Sequence, residues 1–239
     1  MNGALFRLAL RRLLLRRRSV LLAFAPMLAA LVAVVQAAGG TADAKAFASL
    51  MEQLFLPTIL PFLALVIGSS AIGEERDDGT ILYLASTPLP RLAIALPAIV
   101  AAALTTIVLC LPGLAIVLAL SPGDDFTISA AAWALASVVA GACAYAAAFG
   151  ALSLRVKRPV VIGLVYVLFW EGSIATFAPN ARWLSLGAYA RAIVAGGLPS
   201  SSDFNVPAIG ALAAAAVLAG LAAMATWWCG RRLARLELP

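Results

Sequence analysis

The sequence predicts an all-α fold, a polytopic membrane protein with six transmembrane helices, and three observations support this prediction. Hydrophobic residues make up 64% of the 239 residues and charged residues only 12%, whereas a soluble domain is nearer half apolar and a quarter charged. At about 20 residues per span, the chain has room for roughly six spans and short loops. The basic residues between the apolar runs also fall mostly in segments on one predicted side of the membrane.

The first element is a predicted interfacial helix over residues 1–18. Its arginines and its leucines fall on opposite sides at helical spacing, so we expect the apolar face in the acyl boundary of the bilayer. The predicted contacts with lipid headgroups are Arg7, Arg11, Arg12, Arg16, Arg17 and Arg18. The alternative is a signal peptide with residues 19–38 as its apolar region, although eighteen residues is long for its basic segment.

Six apolar runs follow and predict the spans within one domain that covers residues 1–239. The spans are about 19–38, 54–72, 92–120, 127–154, 160–179 and 207–230. We expect residues 39–53 to form an outer loop that can include a short surface helix, and Pro97 and Pro112 to break the third span. Nearly all residues of 136–148 are small, which indicates either close helix packing or an alanine-rich composition, and both interpretations stay open.

The distribution of the basic residues predicts the orientation of these spans. Lys45, Arg182 and Arg191 fall in outer segments, and the other fourteen of the 17 basic residues fall in inner ones, as the positive-inside rule requires. We therefore expect a bacterial inner (plasma) membrane protein with both termini in the cytoplasm. The net charge of +6 then reflects topology and anionic lipids, and we expect no nucleic-acid partner.

The residues needed for catalysis are scarce in this sequence. The chain has no histidine, which removes the commonest metal ligand and general base. Lysine occurs only at Lys45 and Lys157, neither of them in a phosphate-binding loop of the form GxxxxGK[ST]. Cys110, Cys143 and Cys229 each lie in an apolar run. We expect no catalytic, cofactor-binding or metal-binding site in this chain, and we do not expect it to be an enzyme.

The acidic segment 73–91 predicts a short cytosolic helix at about 78–87. Acids precede Gly79 and Thr80, apolar residues follow, and Pro88 and Pro90 end the helix. A helix of about two turns is unstable alone in water, so its apolar side chains must be buried against something. A groove on a partner protein would accept these side chains. The alternative is that the helix lies on the bilayer, but its four acidic residues disfavour this because the inner leaflet is negative.

This segment, ERDDGTILYLASTPLPR, resembles the first cytosolic loop of ABC type-2 permeases. The resemblance implies that it is a coupling helix that docks in an ATPase subunit. The docking residues would be Glu75, Asp78, Gly79, Thr80, Ile81, Leu82, Leu84, Ser86 and Pro88. It further implies re-entrant helices in an outer region at about 172–206, two cytosolic ATPase subunits that bind ATP and Mg, and a second copy or a sibling permease as partner.

Glu171 is the one ionisable residue inside a predicted span. It lies about 12 residues, or roughly 18 Å, beyond the basic turn. A charge at the bilayer centre costs about 2.5–3.5 kcal/mol, and the resemblance implies re-entrant helices that would bury Glu171 in protein or in a wet cavity. It could contact cargo or an ion, or it could hydrogen-bond to the re-entrant backbone; we favour the second role, with Arg182 and Arg191 as candidate partners.

The function predicted from these features is that of a membrane-spanning permease subunit of an ATP-driven exporter. One alternative is a scaffold or accessory subunit without a pathway. The other is a membrane-embedded lipid-modifying enzyme, since Asp77, Asp78 and Gly79 resemble part of the metal site of phosphatidyl-alcohol transferases. That chemistry requires a second aspartate pair on a facing helix, and Asp124 and Asp125 are predicted on the opposite side of the membrane.

Overall fold

The structure is a computed structural model that describes residues 3–14, 21–41, 43–77, 92–120, 128–174, 183–198 and 209–234. These ranges are helical apart from short turns, and no β-strand occurs in them. The α-helices are α1 (Gly3–Leu14), α2 (Phe24–Ala38), α3 (Ala44–Leu50), α4 (Leu60–Asp77), α5 (Leu92–Ala119), α6 (Ile128–Ser153), α7 (Pro159–Val165), α8 (Leu186–Ala195) and α9 (Ala211–Ala234). Two π-helical segments, π1 (Met51–Ile59) and π2 (Tyr166–Ile174), continue α3 into α4 and extend α7.

Four helices in the described part of the chain are long and apolar enough to cross a membrane. They are Lys45–Gly73, Ala95–Ala119, Ile128–Ser153 and Ala211–Leu233. The shorter apolar helices Phe24–Ala38 and Pro159–Gly172 overlap the predicted first and fifth spans. The all-helical membrane fold is therefore confirmed, and the count of six spans stays a prediction.

Helix α6 lies at the centre of the bundle and packs against α4, α5, α8 and α9. Many of its small residues are buried, among them Gly141, Ala142, Ala146 and Gly150. A Cβ atom added at Gly68 of α4 would lie 3.0 Å from the carbonyl oxygen of Ala146, so the two backbones are nearly in contact. The small residues of 136–148 thus include positions that permit close helix packing, as expected where lipid competes for apolar surface.

We expect Gly68→Val to destabilise the bundle, because the new side chain would overlap the α6 backbone. Overpacking of this kind costs about 1–3 kcal/mol, which should appear as a lower midpoint of thermal unfolding in detergent. Gly220→Val is the matched control: Gly220 is also in a helix but has no atom within 4 Å of an added Cβ. Equal midpoints for the two variants would contradict the close contact.

The predicted outer loop at 39–53 is helical from Ala44 onward, and one side of this helix is buried. Gly40, with φ of +70°, makes the turn after α2, and the Asp43 side chain caps α3 by accepting a hydrogen bond of 2.7 Å from the amide of Ala46. Phe47 and Met51 are buried because α3 and π1 pack onto α2. This helix therefore begins ten residues before the start expected for the second span, and it brings polar residues of 39–53 into the bundle.

The expectation that prolines break the third span is wrong. Helix α5 continues through Pro97 and Pro112 for 28 residues. Such helices tolerate proline inside a membrane because neighbouring groups compensate the freed backbone. A Cβ at Gly113 would overlap the backbone of Pro26 in α2, so the glycine after Pro112 permits a close approach of these helices.

The amphipathic helix α1 is present, but its apolar face packs on protein. Leu13 is buried with Ile67 of α4 and Ala102 of α5, and Phe6 and Leu10 lie against the same cluster. The sequence placed this face in the acyl boundary; the structure places much of it on α5, because the small residues of α5 leave room for it. Arg7 and Arg11 are exposed, as headgroup contacts require. Arg16, Arg17 and Arg18 lie outside the described residues.

Candidate functional site

The predicted docking residues fall mainly on a segment that the structure does not describe. Residues 78–91, which include the predicted coupling helix, lie outside the described residues, and so does Arg182. Helix α4 extends to Asp77 and thus includes Glu75 in its last turn. The ATPase-docking assignment therefore stays a prediction from the sequence.

Glu171 is fully buried, and its carboxylate accepts three hydrogen bonds. Tyr166 Oη donates to Oε1 over 2.9 Å, Ser185 Oγ donates to Oε2 over 2.5 Å, and the amide of Gly187 donates to Oε1 over 3.2 Å. All three contacts are donors, which is the pattern that suits an ionised carboxylate. These bonds compensate part of the cost of burying the charge.

The π-helical backbone explains why Tyr166 reaches Glu171. The two residues are five positions apart, a spacing that puts side chains on different faces of an α-helix, where neighbours are three or four apart. The wider i→i+5 turn of π2 brings positions five apart onto nearly the same face. Short π segments occur frequently at functional sites, and the described part of this chain has two of them, π1 and π2, in contact with each other.

The other two donors belong to the start of α8. Ser185 is its N-cap residue, and the serine hydroxyl also accepts a hydrogen bond of 3.0 Å from the amide of Ala188. Gly187 has no side chain, and a Cβ there would lie 2.7 Å from Glu171 Oε2, so a larger residue would have to displace the carboxylate. The positive end of the helix dipole adds a favourable interaction with the carboxylate. Glu171 thus fixes the first turn of α8.

Helix α8 is short and buried. Its ten residues span roughly 15 Å, too little to cross a bilayer, and Gly187 to Val194 are all buried. Ser137 of α6 donates a hydrogen bond of 2.6 Å to the carbonyl oxygen of Ala190. On the other side of Glu171, Phe149 contacts the rings of Tyr145 and Tyr166. Glu171 therefore joins π2 to a helix that is itself anchored on α6.

A cavity of about 440 Å³ lies beside this cluster. It is lined by Glu52, Gln53, Pro57, Thr58, Glu171, Gly172 and Arg191. Arg191 is 5% exposed, and its Nε has no hydrogen-bond partner among the described residues. The described part of the chain holds no group of three or more residues that could bind a metal ion. The cavity instead combines two carboxylates with one guanidinium.

The sequence singled out Glu171 and Arg191, and the structure brings both to one cavity. The hydrogen bonds to Glu171, however, come from Tyr166, Ser185 and Gly187, which sequence reasoning missed. A serine before the apolar run 186–195 is a helix-start signal that could have identified Ser185. No sequence pattern predicted the π-helical turn at Tyr166, nor that π1 would pack beside Glu171.

The comparisons with known proteins give one finding. A family model described as an ABC-2 family transporter protein matches residues 13–177, more than half of the chain. The matched range includes α4, the acidic segment after it, α6 and Glu171. No curated protein matches the chain.

Proposed function

We propose, because the chain belongs to the ABC-2 family of transporter membrane proteins, that it is the permease subunit of an ATP-driven exporter. The observation on which this proposal depends is the family match over residues 13–177. The helical bundle supports it, since four of the described helices are long and apolar enough to cross a membrane. The chain itself would have no catalytic role and would bind no cofactor.

ATP hydrolysis would occur on two cytosolic ATPase subunits, which would bind ATP and Mg. The segment 78–87 would be the coupling helix, placed directly after α4 at the cytosolic end of the bundle. Because α4 packs against α5 and α6, a displacement of its cytosolic end would be passed to the centre of the bundle. To drive transport, ATP must bind two conformations with different affinity; moving an equilibrium from 1:99 to 99:1 requires about 5.5 kcal/mol.

The pathway would lie between two such subunits, either two copies of this chain or this chain and a sibling. Two-fold assemblies are the commonest oligomers. Helix α9 has an exposed surface that is available for such contacts. Only 22% of its apolar stretch is buried within the chain, compared with 78% of the apolar stretch of Lys45–Gly73. Bilayer lipid would cover whatever the partner leaves exposed.

Glu171 would have a structural role in this permease. Its hydrogen bond from the amide of Gly187 supports the interpretation that it binds the backbone of a re-entrant helix, here α8. The bonds from Tyr166 and Ser185 support the same structural role.

The experiment that tests the transporter proposal is purification of the tagged chain from its native bacterial membrane in a mild detergent. We expect an ABC ATPase to co-purify, together with a second permease chain, and mass spectrometry would identify both. Inverted vesicles would then show ATP-dependent uptake of the cargo. A complex without any nucleotide-binding chain would contradict the proposal.

A further inference from the structure

An apolar groove lies between α5 and α9. Its volume is about 480 Å³, and α6 lines its base with Val139 and Cys143. Among the described residues that line it, Thr226 carries the only hydroxyl, which donates a hydrogen bond of 2.7 Å to the carbonyl oxygen of Ala222 in its own helix. Leu96 is exposed at this groove, so the groove opens to the membrane.

The groove extends through one leaflet of the bilayer. Along α5 its lining begins at Leu92, the first residue of that helix, and ends at Ile107. The rise over this stretch is roughly 22 Å, about the thickness of one leaflet with its headgroups. The Leu92 end lies beside the last turns of α9, because a Cβ at Gly230 would be 2.9 Å from Leu92 Cδ1. The positive-inside assignment makes this leaflet the cytoplasmic one.

An arginine lies at the headgroup end of the groove. Arg231 is in the last turn of α9, and its guanidinium carbon is 4.1 Å from the ring centroid of Trp227, a residue that lines the groove. This cation–π contact holds the exposed guanidinium beside the groove. A guanidinium can pair with a phosphate through two parallel hydrogen bonds, and the cytoplasmic leaflet carries anionic lipids. The groove therefore combines a long apolar surface with a phosphate-binding group at one end.

The shape of the groove favours an acyl chain over a helix of a second protein. A helix about 10 Å in diameter and 22 Å long occupies roughly 1,700 Å³, more than three times the groove volume of about 480 Å³. A helix that crosses the membrane would also need a surface through both leaflets, whereas the lining of this groove ends near the middle of α5. An acyl chain is narrower and ends within one leaflet. The length, width and charge of the groove thus match one chain and the headgroup of a phospholipid.

We propose that this groove binds an anionic phospholipid, with one acyl chain between α5 and α9 and the phosphate on Arg231. The acyl chain packs against the apolar side chains of both helices, and the charge of the headgroup selects the lipid. Such a lipid links the cytoplasmic ends of α5 and α9 and leaves the remaining surface of α9 for a second permease chain. The proposal depends on the membrane location of the chain and not on its cargo.

Lipid binding to the full chain tests this proposal. The chain is purified in a non-ionic detergent and titrated with phosphatidylglycerol or phosphatidylcholine that carry the same palmitoyl and oleoyl chains, and native mass spectrometry counts the bound lipids. We expect phosphatidylglycerol to bind at least roughly fivefold more tightly, because an arginine near the membrane surface favours an anionic headgroup. Free glycerol phosphate, which has the charge without the acyl chains, is expected not to bind at the same concentrations.

Two variants test the headgroup contact and the acyl-chain contact separately. Arg231→Gln should lose most of the preference for phosphatidylglycerol, whereas Arg155→Gln, at an exposed position in the turn after α6, should keep it. Ala223→Phe places a ring in the groove and should weaken binding of both lipids by roughly tenfold. Its matched control is Ala216→Phe, because Ala216 is exposed, lies seven positions away on the same face of α9, and is not part of the groove lining. All four positions are exposed, so we expect every variant to fold.

Equal binding of the two lipids would overturn the proposal, and so would glycerol phosphate that binds as tightly as the lipid. Unchanged preference in Arg231→Gln or unchanged lipid binding in Ala223→Phe would also overturn it. If Ala223→Phe converts a dimer into a monomer without weakening lipid binding, the groove is a contact between two chains and not a lipid site. The assay contains no ATPase and requires no transport. Its failure would leave the permease proposal intact, and a failure of ATPase co-purification would leave this lipid site intact.

Discussion

Replacing Ile81 or Leu82 with aspartate is expected to abolish co-purification of an ATPase while the chain still inserts into the membrane. The predicted coupling helix at 78–87 is about two turns long, so it depends on burial of its apolar side chains in a partner. A charge in the centre of such an interface is left desolvated and unpaired, which costs several kcal/mol. The measurement is the ATPase-to-permease ratio after affinity purification from native membranes.

The matched control for this experiment is Val156→Asp. Val156 lies in the turn between α6 and α7, which the positive-inside assignment places on the same side of the membrane, and the substitution adds the same charge. We expect normal ATPase recovery with this variant. Unchanged recovery with Ile81→Asp and Leu82→Asp would remove the coupling assignment from residues 78–87, even if an ATPase is present in the complex.

The helical membrane fold could be predicted because hydropathy and helix length determine it directly. Long apolar runs without charges, such as those of α5 and α6, have one stable arrangement in lipid, a helix whose backbone groups are all paired. The expected effect of the prolines is wrong because it follows the rules for soluble helices. Those rules predict that Pro112 breaks a helix, whereas α5 continues past it, since neighbouring groups compensate the freed backbone inside a membrane.

The candidate site was only partly predictable, because tertiary contacts determine it. A lone glutamate in an apolar run had to be buried, and Glu171 is. Glu52 and Gln53 lie in the segment 39–53, for which the sequence predicts an outer loop with at most a short surface helix, yet the Asp43 cap starts a long helix there and π1 carries these residues to the cavity. Pairing across 14 to 16 positions, as between Glu171 and Ser185 or Gly187, depends on how α8 folds back, which local patterns do not encode.

Glu171→Leu is expected to have the second large effect, a loss of stability of roughly 3 kcal/mol or more, because each buried donor without a partner costs about 1–3 kcal/mol. Leucine is apolar and of similar size, but it would leave Tyr166, Ser185 and the Gly187 amide without their acceptor. The first turn of α8 would lose its anchor. Thermal unfolding in detergent and the fraction of monodisperse protein measure this loss.

Glu171→Gln separates a structural role from a cargo contact. The glutamine oxygen can accept from Tyr166 and Gly187, which both donate to Oε1, and its amide can donate to the Ser185 hydroxyl, which can also accept. We therefore expect this variant to keep most of the stability and the transport. Stability as low as that of Glu171→Leu would show that the charge matters more than the acceptor geometry. Normal stability with selective loss of one cargo would instead place Glu171 on the transport pathway, because a hydrogen-bonded scaffold can tolerate an amide where recognition of a cationic group cannot.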